Sequence, residues 1–150
     1  MSTAFVALGS NLGDREENLR TALAHLQENG VEVVKVSSFI ETEPYGVTDQ
    51  PGFVNGVCQV QTELAPLELL RLLLEIEQKM GRVRLRRWGE RNIDLDLLLY
   101  EDAVLESGEL TLPHPDMHNR DFVLIPLVEI AGEVVHPVLG KTIQQLKDEL

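Results

Sequence analysis

Phe53-Val54-Asn55-Gly56-Val57-Cys58-Gln59-Val60-Gln61-Thr62 is rich in β-branched and apolar residues and reads as a β-strand. Upstream, Val31–Ile40 has the same character. Between them Glu43–Gly52, with Pro44, Gly46 and Pro51, reads as a long loop, so two strands follow one another with no helix between. A helical pattern flanks the pair on each side. Leu19, Ala22, Leu23 and Leu26 recur at helical spacing until Asn29-Gly30. Pro66 suits the first turn of a second helix over residues 66–80, with Leu69, Leu70, Leu73, Ile76 and Met80 as its apolar face and Gly81 as its stop. Outermost, Thr3–Leu8 is a short apolar strand followed by the turn-prone Gly9-Ser10-Asn11-Leu12-Gly13-Asp14, which reads as a structural turn. Ile93–Tyr100 alternates and then becomes continuously apolar, as a central strand does. The order β-α-β-β-α-β predicts an α+β, ferredoxin-like sandwich, an antiparallel sheet with two helices on one face.

The last third extends the same domain. Val104–Leu112 reads as a hairpin or an edge segment, Asn119–Ile130 as a helix despite Pro126, and Thr142–Leu150 as a terminal helix. The chain has 150 residues, the size of one domain, and no linker or repeat divides it, so residues 1–150 are read as a single unit. No run of about 18 apolar residues is present to span a bilayer. The first residues, Met1-Ser2-Thr3-Ala4-Phe5-Val6, lack the pattern of a secretory signal, and a cytoplasmic location is expected. A single cysteine, Cys58, lies in an apolar run and reads as packing.

The formal charge of −12 argues against broad binding to nucleic acid or anionic lipid. Against that background, five of the nine arginines (Arg82, Arg84, Arg86, Arg87 and Arg91) fall within ten residues. Such a segment wants an anion, because guanidinium groups hold phosphate oxygens in pairs and stay charged at every physiological pH. Directly after it, strand alternation in Ile93-Asp94-Leu95-Asp96-Leu97 puts both carboxylates on one face, about 6.5–7 Å apart at Cα. An isolated Asp-x-Asp is commonly a solvated sheet face. Beside the arginines it becomes a candidate holder of hard cations, and magnesium with phosphate oxygens fits best. Metal-holding carboxylates next to phosphate-holding arginines describe transfer of a phosphorus group. His114 and His118 stand four apart, but Pro113 and Pro115 oppose a helix there, which speaks for a phosphate contact from His114 over a zinc site.

Arg87-Trp88-Gly89-Glu90-Arg91-Asn92-Ile93-Asp94-Leu95-Asp96-Leu97-Leu98 closely resembles the signature of the hydroxymethyldihydropterin pyrophosphokinases, enzymes of folate biosynthesis. The resemblance continues through Ala7–Gly13, Gln50–Asn55, Pro113-His114 and Asn119–Phe122. It implies a ferredoxin-like fold and transfer of the β,γ-pyrophosphoryl group of ATP to the hydroxymethyl oxygen of the reduced pterin, with release of AMP and the help of two Mg2+ ions. By the same resemblance Asp94 and Asp96 hold the metals, and Arg82 and Arg91 neutralise charge on the transferring group. Glu77, Arg84, Arg87, Trp88, Arg91, Leu97, Thr111, His114 and Arg120 belong to the ATP side. Thr42, Tyr45, Phe53, Asn55 and Phe122 belong to the pterin side, with Phe53 and Phe122 as aromatic plates and Asn55 as a donor and acceptor for the ring edge. Two features depart from the family pattern. Glu109 stands where several bacterial members have an arginine, and the arginine stretch is one residue shorter than in some relatives.

The expected partners are therefore small molecules, with neither nucleic acid nor membrane, and the chain is expected to act as a monomer or a weak dimer. Two other classes compete with this reading: a ferredoxin-like RNA-binding module using the basic segment and Trp88, and a regulatory ATP-binding domain without turnover. The overall acidity and the aspartate pair oppose the first. Release of AMP would exclude both.

Overall fold

Strand β1 (Ser2–Ser10) runs through the middle of the sheet and organises everything else. A computed structural model of the chain describes residues 1–42, 52–81 and 92–150. Helix α1 (Arg15–Glu28) follows β1, and the chain returns as β2 (Glu32–Val36) and β3 (Ile40–Thr42). Then come β4 (Phe53–Thr62), α2 (Pro66–Lys79) and β5 (Asp94–Tyr100). The strand order is β2-β4-β1-β5, with β3 also paired to β4, and every pairing is antiparallel. Counting β2 and β3 as two halves of one strand, this is the ferredoxin-like βαββαβ arrangement that the sequence predicts.

Burial explains the two faces. Leu19, Ala22 and Leu26 of α1 and Leu69, Leu73 and Ile76 of α2 pack on Ala4, Val6, Leu8, Val54, Cys58, Val60, Leu95 and Leu97, all buried. Cys58 is fully enclosed there, and burial pushes its thiol up to about 12, so it packs as a small hydrophobe, as expected. The opposite face is covered by the chain from Met117 onward, whereas Leu110 and Leu112 before it join the first core. A short hairpin of β6 (Leu105–Glu106) and β7 (Thr111–Leu112) precedes a 3-10 turn at Met117–Asn119, then α3 (Asp121–Ala131) and α4 (Ile143–Asp148). Phe5, Val57, Leu98 and Leu99 of the sheet pack there on Met117, Val123, Leu124, Leu127, Ile143 and Leu146. The extension thus makes a third layer. It stops short of the other end of the same face, and the cleft lies there.

Four readings need correction. Val31–Ile40 is not one strand: the ladder with β4 shifts register between Val33 and Lys35, and the strand breaks after Val36. At the break, Ser37 takes over the ladder with its side chain, its Oγ accepting the Val57 N–H at 2.9 Å while its own N–H donates to the Val57 carbonyl. Gly9 and Ser10 belong to β1 and not to a turn; the turn begins at Asn11 and ends at Asp14, whose carboxylate accepts the Glu17 N–H to start α1. β5 ends the strand order among the described residues, so it is not central. Its apolar run comes from burial on both faces and from a bulge: Val6 pairs with Leu97 and Phe5 with Leu99, so Leu98 is an extra residue and both Leu98 and Leu99 reach the second core. The helix expected over Asn119–Ile130 starts at Asp121, after the 3-10 turn.

Candidate active site

Across three strands one row of residues faces the cleft. Gly9 of β1 is the register partner of Asn55 on β4 and of Asp94 on β5. One residue pair along, Ala7 stands opposite Asp96. With strands about 4.8 Å apart, Asn55 and Asp94 lie about 10 Å apart across Gly9. The floor between them is low because the β1 positions that face the cleft are Gly9 and Ala7, while the Leu8 side chain turns into the core. A Cβ on Gly9 would come within 2.9 Å of Asn55 Oδ1 and 3.5 Å of Phe53 Cδ1. The cleft above this floor has a volume of about 1160 Å³. Ile40, Glu41, Thr42, Gly52, Phe53 and Asn55 line one side, Asp94 and Asp96 another, and Asp116, Asn119, Arg120, Asp121, Phe122 and Val123 form a wall at the start of α3.

Each side chain is held by its own support. Asn55 is buried, and its Nδ2 donates to Thr42 Oγ1 at 2.8 Å, joining β4 to β3. The guanidinium of Arg120 lies 5.7 Å from the centre of the Phe122 ring and 3.4 Å from an Asp116 oxygen. Asp116 is exposed; the Asn119 amide that donates to it, aided by Arg120, holds its carboxyl below the usual range. His114 is half-buried, with its backbone N–H on the Leu98 carbonyl and its Nδ1 accepting the Asp116 N–H. Burial first, then Arg120, hold this imidazole below its usual value, against the opposite pull of Asp116 and Asp94.

The aspartate pair is well founded. Leu95, between Asp94 and Asp96, points into the first core, and its N–H donates at 2.8 Å to Oε2 of Glu77, a carboxylate of α2 only 3% exposed. Just before β5, Asn92 Nδ2 donates to the carbonyls of Met80 (2.8 Å) and Gly81 (3.0 Å), fixing the chain where the arginine segment leaves and returns.

The cleft therefore gathers Thr42, Phe53, Asn55, Asp94, Asp96, Arg120 and Phe122, with His114 close enough to feel Asp94. Glu77 lies beneath β5 and does not line it. Leu97 points its side chain into the core, so only its backbone is offered outward; the Leu95 N–H faces the outer edge, and period-two alternation turns the Leu97 groups the same way. Thr111 lies on β7, which packs along β5. Glu109 pairs with Arg71 of α2 at 3.1 Å, both exposed. Tyr45, Arg82, Arg84, Arg87, Trp88 and Arg91 lie outside the described residues. Sequence reasoning missed Gly9, Ala7 and Asp116. Only the strand pairing brings the glycine to Asn55, and nothing local separates Asp116 from other exposed acids.

The donor set fits a hard cation. Glu41, Asp94, Asp96, Asp116 and Asp121 set five carboxylates around the cleft against one arginine among the described lining residues. No group of three or more His, Cys, Asp or Glu converges among the described residues, so an ion on the aspartate pair would take its remaining ligands from phosphate or water, the usual habit of magnesium. No described helix is long and apolar enough to cross a membrane.

Comparison with known proteins gives this arrangement its family. The family model for 7,8-dihydro-6-hydroxymethylpterin-pyrophosphokinase (HPPK) matches residues 5–132. A 2-amino-4-hydroxy-6-hydroxymethyldihydropteridine pyrophosphokinase of Haemophilus influenzae is 47% identical over 99% of this chain and 95% of its own length. Its namesake in Bacillus subtilis is 49% identical over 87% of this chain and 79% of its own. A solved Plasmodium falciparum HPPK-DHPS has the same fold, with a TM-score of 0.75 over 99% of this chain and 43% of the longer one, at 18% identity. With the two aspartates on one strand face opposite Asn55, and with identity approaching half over nearly the whole chain, this protein belongs to the 7,8-dihydro-6-hydroxymethylpterin-pyrophosphokinase family.

Proposed function

We propose that the cleft carries out the family's reaction, transfer of the β,γ-pyrophosphoryl group of ATP to the hydroxymethyl oxygen of 6-hydroxymethyl-7,8-dihydropterin, at the step from pterin to folate. The observation that carries the assignment of residues is the row Asn55–Gly9–Asp94. It sets an amide suited to a heterocycle edge on the same open face as two carboxylates suited to a polyphosphate-bound cation. Phe53 and Phe122, which both line the cleft, would stack on the flat ring; Thr42 and Tyr45 would complete its surroundings, and Asn55 would meet its polar edge.

Asp94 and Asp96 would hold two magnesium ions, which when bound supply charge neutralisation to the phosphate oxygens. The chain's own residues orient the reactants. His114, which feels the charge of Asp94, and Arg120 beside it would serve the phosphate side, and Arg82, Arg84, Arg87, Trp88 and Arg91 would bring the remaining positive and aromatic surface to the triphosphate. Leu97 would meet the nucleotide through backbone groups on the outer edge of β5, near Thr111. Glu77 would serve that side from beneath, as the support of the strand. In the reaction the acceptor oxygen bonds to the β-phosphorus, the bond from that phosphorus to the oxygen bridging it to the α-phosphate breaks, the hydroxyl proton is released and AMP departs. All the groups named come from one chain, so a monomer would suffice, and a cytoplasmic location accords with soluble small substrates.

The test is product analysis with ATP, magnesium and the hydroxymethyl pterin. One AMP per modified pterin supports the reading. ADP in its place, or no nucleotide consumed, would overturn it.

A further inference from the structure

Arg15 opens α1, where the partial positive charge of a helix N-terminus disfavours a cation. Its placement calls for another reason, and its contacts supply one. Nη1 donates to Oε1 of Glu41 at 3.1 Å and to the Gly52 carbonyl at 2.7 Å. Glu41 lies in β3 and Gly52 directly precedes β4, so one guanidinium spans the two segments where they flank the cleft. They are already close, since a Cβ on Gly52 would run into the Thr42 carbonyl oxygen. Thr42 is the register partner of Phe53, and its Oγ1 accepts from Asn55. The side chains that face the acceptor thus hang on the junction that Arg15 fastens, although Arg15 does not itself line the cleft.

An exposed ion pair alone would contribute little, and Glu41 is 65% exposed. The bond to the Gly52 carbonyl differs. It is charge-assisted and short, and comes from a side chain only 27% exposed on a helix that packs on the other face of the sheet. It ties the cleft wall to the rigid helical layer.

We infer that Arg15 is a positioning residue for the acceptor, setting Thr42, Phe53 and Asn55 by clamping Glu41 to Gly52. The inference rests on the reading that those three residues receive the pterin. In the full chain, with AMP release as the readout, Arg15→Met should raise the KM for the acceptor about tenfold, the low end of what a lost charge-assisted bond does. KM for ATP and kcat should stay within about twofold of the parent. Arg15→Lys, which keeps a cationic donor for the carbonyl, should recover part of the loss. Asn55→Ala serves as the control on the pocket. If Asn55→Ala raises the acceptor KM and Arg15→Met does not, the clamp is refuted while the pocket stands. If neither changes it, the pocket reading fails and the clamp with it. If Arg15→Met lowers melting temperature and kcat at unchanged acceptor KM, Arg15 is merely structural and the inference is overturned.

Discussion

Replacing Glu77 by methionine removes the acceptor under Leu95 at nearly constant side-chain volume. The Leu95 N–H is buried, and its 2.8 Å bond to Glu77 turns the outer edge of β5 toward α2. A buried amide left without an acceptor costs about 2 kcal/mol, the middle of the range for such groups. Unfolding entropy of about 2.1 cal/mol/K per residue gives about 0.3 kcal/mol/K for this chain, so the melting temperature should fall by about 6 °C. Leu95 stands between Asp94 and Asp96, so a loosened strand also loosens the pair. Support of this kind commonly changes metal affinity by about tenfold or more. The Met variant should therefore need about ten times more magnesium for half-maximal AMP release. Glu77→Gln keeps a carbonyl oxygen for Leu95 and should retain most of the melting temperature. Calorimetry and a magnesium titration of all three proteins test this. A Met variant melting within about 1 °C of the parent, with an unchanged magnesium requirement, would refute the reasoning.

Gly9→Ala puts a methyl group 2.9 Å from Asn55 Oδ1 and should displace that amide, raising the acceptor KM by about tenfold with ATP KM nearly constant; a selective rise in ATP KM would contradict the placement of Asn55. His136 is buried, its Nδ1 accepting the N–H groups of Val138 and Leu139, with His118 as the ring beside it. Burial first, then His118, hold its imidazole below the ordinary value of 6.5. Because the folded state binds this proton less readily than the unfolded chain, the contribution is complete above 6.5 and lost as the pH falls through the lower folded value, with a limiting slope of about 1.4 kcal/mol per pH unit. Melting temperatures between pH 8 and 5 should fall less steeply for His136→Asn than for the parent, and parallel slopes would remove His136 from the account.

Local chemistry made much of this fold legible. Phe53–Thr62 and the helix beginning at Pro66 follow from β-branched content, a proline at the first turn and a spaced apolar face. The aspartate pair was legible for the same reason, since alternation alone puts Asp94 and Asp96 on the face opposite Leu95. What the sequence did not reveal depends on distant partners. Gly9 sits in turn-like company, and only its pairing with Asn55 and Asp94 makes it strand and cleft floor. The break at Ser37 depends on the Val57 backbone it bonds, and Phe39 beyond it packs where a Cβ on Gly56 would lie. The helices of the extension are legible in the sequence, but the face they cover is a matter of which apolar side chains the bulge at Leu98 turns outward. Arg15 carries no motif at all; its partners lie 26 and 37 residues away.

Asp94 and Asp96 are the carboxylates at which pyrophosphoryl transfer is proposed to occur. Quantifying nucleotide products from the parent and from Asp96→Ala, each first shown to be folded by its melting transition, tests that claim most directly. The parent should release one AMP for each pterin modified, and the variant, whose side chain leaves the cleft and not the core, should melt near the parent while releasing almost none. ADP from the parent, or near-normal AMP release by the folded variant, would contradict it.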